Sequence, residues 1–241
     1  MRLVVLAMAG LALGGCVPQG QQQALSAPPL APQAAALKAL ESSPTVRVER
    51  YFFSLDFIPP NPKGGFAFYP GGRVDYRAYA PVLRRIAEAG YRVSLMEMPL
   101  ALAILDGGRA VSAIANAPQL GWVVGGHSLG GVAAANFAAE NPGVRGMVLW
   151  ASFPQNDLRG RTIPTLALYG ERDGLIETGR RDEEALKLPR GAQVAVLTGL
   201  NHAGFGDYGA QPGDNPATLG QEQGWEEIAR RTVAFLDQTL K

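Results

Sequence analysis

The 241-residue sequence is poor in cysteine, histidine and charge. It holds one cysteine, Cys16, and two histidines, His127 and His202, and charged residues make up 18%. A single cysteine rules out an intramolecular disulfide. Basic and acidic residues number 22 and 21, for a net charge of +1. That balance leaves no electrostatic footprint for nucleic acid or an anionic surface. Selectivity must therefore come from a shaped pocket. The apolar run at residues 3–13 is too short to span a bilayer comfortably as a helix. No internal repeat is visible. What the chain does have is 47% apolar residues, enough to bury the core of one domain.

Met1 and Arg2 precede that apolar run, and Gly14-Gly15 follow it. A positive start, a short apolar core and small residues before a cut describe an export signal. Leu13-Gly14-Gly15-Cys16 resembles the bacterial lipobox, in which the cysteine is diacylated and becomes the mature N-terminus. The alternative is a plain secretory signal with an incidental cysteine. The resemblance implies lipid attachment at Cys16 and a place in the bacterial cell envelope, facing outside the cytoplasm. Two or three acyl chains suffice for stable anchoring. Residues 17–44 are rich in Gln, Ala and Pro and read as a flexible tether, with a short helix over 34–41. The expected organisation is a signal over 1–15, a tether over 16–44 and one domain over 45–241.

Within that domain, strand-like apolar runs alternate with helical patterns. Strands are expected over residues 46–55, 66–69, 91–98, 121–126, 146–151, 163–169 and 193–197. Helices are expected from Pro81 to Gly90 and over 106–116, 128–140, 177–186 and 225–240. Such alternation predicts an α/β fold with a mostly parallel sheet covered by helices on both faces. Ligand sites in such sheets lie beyond the carboxyl ends of the strands.

Gly126-His127-Ser128-Leu129-Gly130 falls at such an end, between a predicted strand and a predicted helix. It fits the G-x-S-x-G nucleophile elbow, where a sharp turn lifts a serine hydroxyl clear of the sheet. Glycines two residues to either side prevent backbone collision. Leu129 N–H, at the helix start, then faces a developing oxyanion. A serine needs an adjacent base, and the base needs an orienting acid. The side chain of His127, inside the elbow, is expected to point away from the nucleophile into a packed layer. That leaves His202 as the base. Asp173 follows the predicted strand at 163–169 and is the favoured acid, with Glu171, Glu177 and Asp207 as further candidates. The second oxyanion donor is expected in Pro70-Gly71-Gly72-Arg73, from Gly72 in preference to Arg73.

These stretches, with Met98-Pro99-Leu100-Ala101-Leu102-Ala103 and Asn201-His202-Ala203-Gly204-Phe205-Gly206, resemble the α/β-hydrolase fold. More narrowly, they resemble a small cap-less family labelled alpha/beta hydrolase fold-5, related to dienelactone hydrolases. The resemblance implies a serine hydrolase with a Ser128–Asp173–His202 triad and neither cofactor nor metal, but no particular substrate; small acyl esters are expected from the open cleft that the short connection after Ala151 implies. Dienelactone hydrolases proper use a cysteine nucleophile, so Ser128 argues against carrying their lactone activity over. Only about a dozen residues separate Ala151 from Ile163, so no lid domain is expected and the cleft should be open and shallow. Residues 204–224 are expected to overhang it. The main rival is a binding or structural lipoprotein that keeps the fold without the activity. A thioesterase or peptidase is the other.

Overall fold

The computed structural model describes residues 28–241. Eight strands form one sheet: β1 (Arg47–Arg50), β2 (Ser54–Ile58), β3 (Gly65–Tyr69), β4 (Arg92–Met96), β5 (Trp122–His127), β6 (Gly146–Trp150), β7 (Thr165–Gly170) and β8 (Gln193–Leu197). Their order across the sheet is β1-β2-β4-β3-β5-β6-β7-β8. The β1–β2 and β2–β4 pairings are antiparallel and the rest are parallel. The helices are α1 (Ala34–Ala39), α2 (Ala80–Glu88), α3 (Ala110–Asn116), α4 (Leu129–Glu140), α5 (Thr178–Ala185) and α6 (Gln221–Thr239).

Every residue of β3, β4, β5, β6 and β7 is buried. Burial on both faces is why these strands read as unbroken apolar runs and not as alternating ones. On one face Phe66, Phe68, Trp150, Phe205 and Trp225 pack with α2 and α6. On the other, Ala67, Tyr69, Trp122 and Leu149 pack with α3 and the small residues Ala133, Ala134 and Ala135 of α4. Residues 151–164, between β6 and β7, carry no helix, so no lid is evident.

Three local expectations change. Residues 46–55 are not one strand but the β1–β2 hairpin, in which Arg50 pairs with Leu55. Its corner is Tyr51-Phe52-Phe53, which has none of the Gly, Pro, Asn or Asp that announce a turn. The helix expected from Asp106 begins at Ala110, after three short 3-10 turns over residues 99–109. Gly107-Gly108 is poor helix material. And α6 starts at Gln221, a turn before Trp225.

The tether expected up to Pro44 is docked, not free, over its described part. Leu30 N–H donates to Arg73 O at 2.8 Å, and Asp75 N–H donates to Leu30 O at 2.9 Å. Gln33 N–H donates to Asp207 O at 2.8 Å, and Ala36 N–H to Asp207 Oδ2 at 2.7 Å. Leu30, Ala35, Ala39 and Leu40 pack on the core. Alanine and proline suggest a free linker by composition, but the same residues are small enough to lie flat against the domain. The segment thereby joins the loop after β3 to the loop after β8. Asp207→Ala leaves the Ala36 N–H without its partner and should lower unfolding free energy by about 1–3 kcal/mol. Denaturant unfolding measures this, and an unchanged midpoint contradicts it.

Candidate active site

Because β3, β5, β7 and β8 are parallel, the loops after them all emerge at one edge of the sheet, and these loops carry the residues singled out by sequence. Ser128 lies between β5 and α4 with φ 50° and ψ −121°. Such a backbone costs about 1–3 kcal/mol and persists only where neighbours hold it. Ser128 N–H donates to Trp150 O at 2.9 Å, and Ser128 O accepts from Gly131 N–H at 3.0 Å and Ser152 Oγ at 2.7 Å. A Cβ on Gly126 would run into the Gly130 carbonyl, and one on Gly130 into the Tyr69 and Pro70 carbonyls. The elbow glycines are steric requirements.

Asp173 follows β7. Its Oδ1 accepts from Leu175 N–H at 2.8 Å and Ile176 N–H at 2.7 Å. Its Oδ2 lies 2.8 Å from His202 Nδ1. A carboxylate can only accept, so Nδ1 carries the proton and Nε2 presents its lone pair. That Nε2 is buried and has no hydrogen-bond partner among the described residues. Of the other acid candidates, Glu171 accepts from Gly199 N–H and Asp207 is committed to Ala36. Neither they nor Glu177 bonds to His202.

Ser128, His202, Leu129 and Gly72 line one cleft of about 1020 Å³. Among the described residues no hydrogen bond occupies the Leu129 or Gly72 N–H, whereas Arg73 N–H is committed to Ala101 O at 2.8 Å. Of the two candidates for the second donor, Gly72 is the one whose N–H is uncommitted among the described residues. One wall is apolar, with Leu102, Ile104, Val111, Val132, Phe153 and Ile176. The loop expected to overhang the cleft does not line it. Residues 206–220 lie behind the Asp173–His202 pair and hold its two loops, chiefly through Asp214, which sequence reading passed over. Its only local signal is the Gly213-Asp214-Asn215-Pro216 turn composition. Cys16 lies outside the described residues.

Residues 65–226 match the sequence model of the alpha/beta hydrolase family. The chain belongs to that family. No curated protein matches it in sequence. Among solved structures, it is similar to TT1662 from Thermus thermophilus, at 20% identity and a TM-score of 0.61, over 81% of this chain and 98% of that one. A dienelactone hydrolase from Anabaena variabilis has 17% identity and a TM-score of 0.61, over 82% of this chain and 100% of that one. The esterase domain of a Rhodothermus marinus protein has 12% identity and a TM-score of 0.61, over the same shares, 82% and 100%. At these identities the likeness establishes the shared α/β-hydrolase fold.

Within this hydrolase, His127 is packed as expected, but directly under His202. The two rings are 4.6 Å apart, and His127 also stacks on Phe205 at 5.4 Å. Its Nδ1 lies 2.9 Å from Tyr79 Oη, which accepts from Gly71 N–H at 3.0 Å. Burial, then the neighbouring His202, holds the His127 imidazole well below its ordinary value of 6.5. Above that value the folded and unfolded chains both carry it neutral. Below it the unfolded chain takes up a proton that the folded pocket refuses, so stability falls with falling pH. Between pH 7 and 5, His127→Asn should lose less unfolding free energy than the parent chain, by up to about 1.4 kcal/mol per pH unit. Denaturant titrations at several pH values measure the two slopes; equal slopes contradict the assignment.

Proposed function

We propose that this α/β hydrolase is a serine hydrolase of small acyl compounds, carboxyl esters foremost, working through Ser128, His202 and Asp173. The observation that carries the reading is His202. Its Nδ1 is committed to Asp173, while its buried Nε2 has no partner among the described residues and His202 lines the same cleft as Ser128. His127 Nε2 is also buried without a partner among the described residues, but of the two histidines it is His202 that lines the cleft and pairs with a carboxylate.

In this reading His202 Nε2 removes the Ser128 hydroxyl proton as Oγ attacks the substrate carbonyl carbon. The carbonyl π electrons move to oxygen, and Leu129 and Gly72 N–H donate to that oxyanion. Collapse breaks the bond to the leaving alkoxide, which takes the proton from His202. Water then attacks the acyl-enzyme, giving its proton to His202, and the second collapse returns that proton to Ser128 Oγ as the acid leaves. Asp173 keeps the imidazole in the required tautomer and stabilises its protonated form. The apolar wall, with Leu102, Ile104, Val132 and Phe153, favours an apolar acyl group over a charged one.

A panel of p-nitrophenyl esters, acyl thioesters and peptide anilides tests this. Esters should turn over fastest, and Ser128→Ala and His202→Ala should each lower kcat by about 10⁴-fold or more. Ester hydrolysis that survives Ser128→Ala, or cleavage confined to anilides, contradicts it.

Lipid attachment at Cys16 belongs to the same proposal and rests on the lipobox-like Leu13-Gly14-Gly15-Cys16. Expressed in a bacterium with its signal intact, the protein should fractionate with membranes and Cys16→Ser should release it. Identical fractionation of the two opposes anchoring.

A further inference from the structure

Asp214 lies in the stretch between the turn at Ala203–Phe205 and α6, away from the cleft lining. Its carboxylate spans two loops. Oδ1 accepts from Gly174 N–H at 2.9 Å and from His202 N–H at 3.3 Å, and Oδ2 accepts from Ala203 N–H at 2.8 Å. Oδ1 also takes the N–H of Asn215, its chain neighbour, at 2.9 Å. Gly174 directly follows Asp173. One carboxylate therefore grips the backbone beside the acid and the backbone of the base itself.

The fit at Gly174 is close. A Cβ there would stand 2.7 Å from Gly213 O and 2.8 Å from Asn215 N. Further contacts fix the stretch on the same two loops: Arg172 Nε donates to Pro216 O at 2.6 Å, and Asn201 Nδ2 donates to Asn215 O at 2.7 Å. These neutral carbonyl contacts hold the stretch in place. The other carboxylate of the stretch, Asp207, turns to Ala36, whereas Asp214 brings its negative charge to the His202 main chain.

We infer that Asp214 is a positioning residue of the hydrolase, which clamps the Asp173 and His202 loops together and adds a second negative charge at the His202 main chain. The inference rests on the triad reading above. Charge-assisted bonds to backbone N–H groups are about twice as strong as neutral ones, so the clamp is stiff. Stiffness matters because a misplacement of about 1 Å in a reacting group can cost about 100-fold in rate. The charge matters separately: the imidazole faces the Asp173 carboxylate at 2.8 Å and the His127 ring at 4.6 Å, and a further carboxylate nearby favours the imidazolium that forms during acyl transfer.

The test is the pH dependence of p-nitrophenyl butyrate hydrolysis by the full chain, its Asp214→Ala and Asp214→Asn variants, and Ser128→Ala as control. Asp214→Ala should lower kcat by roughly 10- to 100-fold with KM changed less than about twofold. The acid limb of its kcat/KM profile should move to lower pH, because the imidazolium has lost a negative neighbour. Asp214→Asn keeps one oxygen acceptor without the charge. It should recover part of kcat yet show the same displaced limb, and it serves alone if the alanine variant does not fold. An unmoved acid limb in a folded Asp214→Asn protein overturns the inference, as does a kcat within twofold of the parent. Activity remaining in Ser128→Ala points instead to failure of the triad reading.

Discussion

A backbone conformation held against its own preference organises this molecule. Ser128 stands at φ 50° and ψ −121° because the bend from β5 into α4 leaves a residue there no other choice. Four hydrogen bonds, to Trp150 O and from Gly131 N–H, Val132 N–H and Ser152 Oγ, hold it. From this bend follow the raised hydroxyl, the free Leu129 N–H at the helix start, and the run of small residues that lets α4 lie against the sheet. Gly130 is needed because the loop after β3 passes so close that any side chain would meet the Tyr69 and Pro70 carbonyls. That same closeness brings Gly72 beside Leu129.

Sheet order supplies the rest. β7 and β8 are neighbours in parallel register, with Gly170 opposite Leu197, so the loops that leave them start side by side. Asp173 and His202 come from those two loops and meet at 2.8 Å. β5 lies two strands from β7, with β6 between, and the Ser128 bend faces the same edge. The described part of the N-terminal segment ties the β3 loop to the β8 loop through Leu30 and Asp207, and Asp214 ties the β7 loop to the β8 loop. The Asp173–His202 pair and the loop after β3 thus rest on a frame of loop-to-loop hydrogen bonds behind the cleft.

Much of this was legible in the sequence, for identifiable reasons. The buried strands show as continuous apolar runs, and the elbow announces itself because its steric demands fall within five consecutive residues. His202 followed by elimination in a chain with two histidines, and Asp173 from its place after a strand. What stayed hidden depends on contacts between distant residues. The Ala36 N–H meets an Asp207 carboxylate 171 positions away. Asp214 sits in a stretch whose Gly, Pro and Asn suggest a loose overhang, and only the fold shows it braced against Gly174 and Ala203. Arg73 N–H and Gly72 N–H are equivalent in sequence; the partner of one, Ala101 O, lies in another loop. The Tyr51-Phe52-Phe53 corner carries no turn chemistry at all.

The central claim is that the His202 imidazole activates the Ser128 hydroxyl. Its most direct test is covalent labelling with a fluorophosphonate, with the adduct mapped by peptide mass spectrometry and the second-order rate compared between the parent chain and His202→Ala. The account predicts a single adduct on Ser128 that forms rapidly in the parent and at a small fraction of that rate without the imidazole. Labelling at another residue, or an equal rate in both proteins, would contradict it.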